Sequence, residues 1–92
     1  MDDKSFGEWL IRKRRYGPQS ARDMQSRCRR IERIFRCDLD RVLQSPTAYE
    51  SYHHRLMEKA DQILGPRTNR RYAIGSLRTA LKLYVEFLAA YR

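Results

Sequence analysis

The sequence predicts an all-α fold, a compact bundle of four long helices and one short helix. Three observations carry that reading. Apolar residues recur at spacings of three and four along most of the chain, the pattern of one helix face. No stretch alternates apolar and polar side chains with period two, as a half-buried strand would. Gly17-Pro18 and Gly65-Pro66 fall between the periodic segments and punctuate them. With 92 residues, the chain is expected to form a single helical domain over 1–92.

Each element has its own signal. Phe6, Trp9, Leu10 and Lys13 trace one face of a first helix, over about 4–14. Tyr16-Gly17-Pro18-Gln19 ends it, and Ser20 is the expected N-cap of a second helix over 21–36, with Asp23 favouring its positive end. Ala21, Met24, Cys28, Ile31 and Phe35 then form one continuous apolar stripe. Asp38 is a candidate cap for a short helix over 38–44 that carries Leu39, Val42 and Leu43. Pro46 suits the first turn of a helix over 47–64, whose stripe is Tyr49, Tyr52, Leu56, Ala60 and Ile63. Thr68 or Asn69 caps the last helix, over 69–90, with Ile74, Leu77, Leu81, Tyr84, Leu88 and Tyr91 on its apolar face. Trp9, Ile31, Leu77, Leu81 and Leu88 are the residues expected to be buried, and most of the six tyrosines fall on or beside apolar stripes.

Composition narrows the function. The formal charge is +9 and the pI about 10.2, which points to a polyanion or an acidic protein surface as partner. With 41% hydrophobic residues the chain is not a disordered basic tail. No apolar run is long enough for a membrane span, and Met1-Asp2-Asp3-Lys4-Ser5 lacks the apolar core of a secretory signal, so a cytoplasmic location is expected. Cys28 and Cys37 are expected to remain thiols, with neither a disulfide nor zinc, because only His53 and His54 would complete a ligand set and they point about 100° apart on a helix.

The excess charge is concentrated in two segments. Residues 11–36 carry a net +8 and residues 65–92 a net +5, while 1–10 and 37–64 are each −2. On the second helix Arg22, Arg29, Arg33 and Arg36 share one face, flanked by Arg30. On the last helix Arg71, Arg78 and Lys82 share another, with Arg67 and Arg70 at its start, where free backbone N–H groups favour phosphate. Glu50, Glu58 and Asp61 lie on the intervening helix, so the signs are segregated. Outside the acidic middle, arginines far outnumber lysines, and the planar guanidinium fork engages phosphate or guanine bidentately. These ten basic residues are the candidate nucleic-acid-binding set.

The layout resembles the core-binding domain of tyrosine recombinases, the SAM-like helical N-terminal domain of phage integrases. Phe6-Gly7-Glu8-Trp9-Leu10 is similar to the family's opening aromatic helix. Ser20, Met24, Cys28 and Ile31 occupy a pattern where the family often has Thr, Tyr, an aliphatic residue and Phe. Asp38-Leu39-Asp40, Pro46-Thr47-Ala48-Tyr49 and Leu56 look like its short connector and third helix. Arg67-Thr68-Asn69-Arg70-Arg71-Tyr72, running into Ser76-Leu77-Arg78, Leu83-Tyr84 and Phe87-Leu88, is similar to its T-x-x-R … S-A-L-R … F/Y … F/Y-L helix. The resemblance covers about residues 5–90, with Met24 and Ile31 departing from the pattern.

The resemblance implies duplex DNA binding, with the second and last long helices toward the major groove. It implies no catalysis by these residues, because the family's tyrosine nucleophile and its His-x-x-Arg element belong to a separate domain, and His53-His54-Arg55 lacks that spacing. No paired carboxylates, phosphate loop or nucleophile–base pair suggests another enzyme, and no cofactor is expected. A non-catalytic DNA-binding module, active in recombination or integration or its regulation, is therefore the expectation. Three alternatives stay open. One is a small phage or mobile-element protein that binds an acidic protein surface as inhibitor or adaptor. Another is an RNA binder, and the third an excised DNA-recognition domain of a larger integrase or nuclease. Oligomeric state stays open too, with a monomer favoured.

Overall fold

Asp2 opens the first helix by accepting a hydrogen bond from Ser5 N at 3.3 Å, which satisfies one of the four N–H groups that a helix start leaves unpaired. In the computed structural model, which describes residues 1–43, 46–58 and 70–91, this helix, α1, runs Asp3–Arg12. Lys13 does not continue the apolar face as expected. It is exposed and closes the helix, donating its N–H to Trp9 O at 2.8 Å. Arg15 then takes a left-handed conformation (φ 56°), and Tyr16 N bonds to Leu10 O at 3.0 Å, folding the connection back on α1.

α2 spans Pro18–Phe35 and starts before its expected cap. Gly17, not Ser20, is the N-cap, and no side chain caps this end. Proline explains the shift: its φ is preset for a helix and it has no N–H to satisfy, so the first turn forms at Pro18 without a Ser20 cap. Arg36, also left-handed (φ 50°), ends α2, and Cys37 N bonds to Glu32 O at 3.1 Å. Asp38 caps the short α3 (Leu39–Val42) as expected, accepting from Asp40 N at 3.0 Å. α4 runs Pro46–Glu58 and α5 runs Arg70–Tyr91. The expected extension of α4 to residue 64 and the Thr68 or Asn69 cap lie outside the described residues. Among the described residues there are five helices and no strand, and no helix is long and apolar enough to cross a membrane. The radius of gyration, 12.9 Å, is that of a compact chain of this length.

α5 is the hub, and α1, α2 and α4 all pack on it. Phe6 meets Tyr84 edge-on with ring centroids 4.9 Å apart, and Phe87 lies 5.4 Å from Phe6 and 5.8 Å from Trp9. Such pairs contribute about 0.5–1.5 kcal/mol each beyond their buried area. Small residues bring α2 and α5 together: Cys28 Sγ is 3.5 Å from Ala80 O, and both side chains are fully buried. Phe35 reaches Tyr52 of α4, centroids 5.4 Å apart. Where α1 crosses α2, Gly7 leaves room for the amide of Gln25, which donates to Asp3 O at 2.7 Å. Trp9, Ile31, Leu77 and Leu81 are buried as expected, whereas Leu88 is only partly so.

Candidate nucleic-acid interface

The helical period that puts Ala21, Cys28 and Ile31 of α2 into the core turns its arginines outward. Arg22, Arg29, Arg30, Arg33 and Arg36 are all exposed, as are Arg78 and Lys82 of α5. Arg70 and Arg71 occupy the first turn of α5, and Arg67 lies outside the described residues. Glu50 and Glu58 are exposed on α4, and Asp61 lies outside the described residues.

The two basic faces have different surroundings. Around α2, a hollow of about 750 Å³ is lined by Arg29, Arg33 and Arg36 together with Met1, Glu32 and Asp38. Carboxylates dilute the positive field there. Arg29 forms an ion pair with Asp3 across the α1–α2 contact and donates a further bond to Ser26 Oγ at 3.2 Å. The Met1 α-amino group is held by Asp38 at 3.0 Å, Glu32 at 3.2 Å and Asp40 at 3.7 Å. Burial by itself would push that amine down. The hydrogen bonds to Asp38 and Glu32 and the charges of Glu32 and Asp40 outweigh it and raise the pKa to about 10.

Around α5, a second hollow of about 430 Å³ shares none of its described lining residues with the first. Arg78 and Lys82 line it with Arg14 and Tyr16 from the α1–α2 connection and Tyr49 from α4. Arg78 Nε donates to Tyr49 Oη at 3.1 Å, and Arg14 Nη2 lies 3.7 Å from Glu86 Oε2. Among the described residues, Glu86 is the one carboxylate lining this hollow. Arg14, Tyr16 and Tyr49 escape a reading by helical stripe, because Arg14 and Tyr16 sit in a turn and Tyr49 reads as core. The one sequence signal for the first two is Gly17-Pro18, which stiffens the turn that carries them.

Three potential nucleophiles, Cys28, Cys37 and Tyr84, have surroundings that hold their protons. Burial pushes the Cys28 thiol well above its ordinary range, and burial also raises Cys37, with the charges of Glu32 and Asp38 adding to it. Burial and donation to Asp40 likewise push the Tyr84 hydroxyl up, whereas an activated nucleophile needs the opposite shift. No family model, curated protein or solved structure matches this chain.

Proposed function

We propose that this chain is a non-catalytic DNA-binding module that lays the basic faces of α2 and α5 on duplex DNA, in the manner of the integrase core-binding domains it resembles. One observation carries the reading. The two helices with the excess positive charge pack directly on each other, and Arg22, Arg29, Arg30, Arg33, Arg36, Arg78 and Lys82 stay exposed on them. Arginine forks suit phosphate, and along the chain the basic segments 11–36 and 65–92 are set apart from the acidic 37–64.

The test is a set of duplex titrations at several salt concentrations with wild type, Arg33→Ala, Arg78→Ala and Glu58→Gln. Each lost phosphate contact lowers the salt slope of log K by about 0.9. An arginine that reads a base instead costs about 1–3 kcal/mol at one position of the site. Arg33→Ala and Arg78→Ala are expected to weaken binding, and Glu58→Gln to leave it unchanged. A wild type with no salt-dependent affinity for any nucleic acid ends the reading in favour of an acidic protein partner. Competition by single strands alone ends the groove geometry.

A further inference from the structure

We infer that the hollow between α5, α4 and the α1–α2 connection seats one phosphate of the DNA backbone, and that Glu86 tunes its affinity. The inference rests on the DNA-binding reading above and names the atoms that anchor it. Cations converge there from two elements far apart in the chain, Arg14 from the connection and Arg78 and Lys82 one turn apart on α5. Neither Arg78 nor Lys82 has a carboxylate partner among the described residues. On α2, Arg29 is paired with Asp3. Arg33 and Arg36, also without an ion pair among the described residues, share their hollow with two carboxylates, Glu32 and Asp38, where Arg78 and Lys82 share theirs with Glu86. A phosphate therefore meets the less compensated field at α5.

The seat is also held in shape. Tyr49 accepts the Nε–H of Arg78 at 3.1 Å, which fixes the guanidinium plane and leaves its two terminal nitrogens to form a bidentate pair with phosphate. Tyr49 is thus a positioning residue. On the opposite wall, the Tyr16 N to Leu10 O bond ties down the turn that carries Arg14. The Thr79 hydroxyl is spent on Gly75 O at 2.9 Å, so the cations supply the binding. Glu86 Oε2, 3.7 Å from Arg14, opposes an incoming anion and draws Arg14 toward itself. A hollow of about 430 Å³ also leaves room for the sugar next to the phosphate.

The experiment is a fluorescence-anisotropy titration of a labelled duplex oligonucleotide, at several salt concentrations, with the full chain. Wild type is compared with Lys82→Ala, Glu86→Gln, Tyr49→Phe and Arg33→Ala, each with its thermal melt recorded. Lys82→Ala is expected to lower the salt slope by about 0.9. Glu86→Gln, which keeps the side-chain shape, is expected to tighten binding about two- to fivefold, the scale of an exposed ion pair. Tyr49→Phe is expected to weaken binding while the slope stays put, because no cation is lost. If Arg33→Ala weakens duplex binding but Lys82→Ala and Glu86→Gln change neither affinity nor slope, the seat is overturned and the DNA-binding reading stands. Weaker binding by a normally melting Glu86→Gln also overturns the seat. If wild type binds no duplex in a salt-dependent way, the reading fails and takes the seat with it.

Discussion

The Met1 α-amino group lies 3.0 Å from Asp38 Oδ1, thirty-seven residues away. This contact closes a polar knot where the start of α1, the end of α2 and the start of α3 meet. Glu32 contributes twice, through its ion pair with Met1 at 3.2 Å and by accepting from Leu39 N at 3.0 Å. The neighbouring residue, Asp2, donates its backbone N–H to Tyr84 Oη at 2.9 Å, and Tyr84 donates to Asp40. The short α3 is therefore held by polar contacts at its cap and by the burial of Leu39 and Leu43.

The knot predicts a pH profile. The Met1 amine is raised from its ordinary 8.0 to about 10, so its contribution is complete below pH 8 and is lost as pH rises through 10. Asp38 is shifted down, first by its bond to that amine and then by the Asp40 N–H. Its contribution is present above the ordinary value of 3.8 and disappears as pH falls below it. The melting temperature is expected to be flat between about pH 5 and 8 and to fall on either side. Acetylating the Met1 amine removes the charge and is expected to cost about 1 kcal/mol after solvent screening, or roughly 4–8 °C. An acetylated chain that melts like the free one at pH 7 contradicts the clamp.

Tyr84→Phe separates the hydroxyl from the ring. The ring stays against Phe6 and Phe87, while Asp2 N loses its acceptor and Asp40 its donor. Leaving part-buried groups unsatisfied costs about 1–3 kcal/mol. A denaturant midpoint shift of that size, with an unchanged m-value, is the expected result. A neutral substitution means that water replaces the hydroxyl without loss.

The parts of this fold legible in the sequence are those set by local period. Ala21, Cys28 and Ile31 on α2, and Leu77, Leu81 and Tyr84 on α5, recur at three, four and seven and are buried together, with Met24 of the same stripe partly buried. Leu83 and Ala80 are buried too, although they lie outside the stripe read from spacing, because α5 is packed by three helices and buries a wider face. Arg15 and Arg36 hold left-handed turns with no glycine or asparagine to announce them. Exposed arginines on α2 and α5 follow from the same period that buries the apolar residues. Their surroundings do not, because Asp3 beside Arg29, and Tyr49 beside Arg78, are juxtaposed only by tertiary packing.

Leu81 is fully buried at the centre of α5. Leu81→Ala is expected to cost ~2–5 kcal/mol, the transfer term plus the cavity left behind. Against a total stability of about 5–15 kcal/mol this is a large share, and the melting temperature is expected to fall steeply. A melting curve unchanged by the substitution contradicts the packing of α5 as the hub.

The two cysteines make the last prediction, because they share a chemistry and differ in surroundings. Cys28 is fully buried between α2 and α5, with its sulfur against Ala80 O, and burial raises its thiol strongly. Cys37 is only partly buried, and although burial raises its thiol too, a hydrogen bond with Tyr52 and the charge of Arg55 pull the other way. Thiolate is the reactive form, so both access and ionisation favour Cys37. Under native conditions at pH 8, an alkylating reagent is expected to modify Cys37 first. Cys28 is expected to react only at the rate of global or sub-global opening, and therefore to speed up in the Leu81→Ala variant. Mass spectrometry of timed samples reads both rates. Equal rates at the two sites in the wild type mean that the α2–α5 contact opens readily, which is incompatible with the buried core described above. Reductant or chelator is expected to leave the helical signal unchanged. Loss of helicity on chelation points instead to a metal coupled to folding.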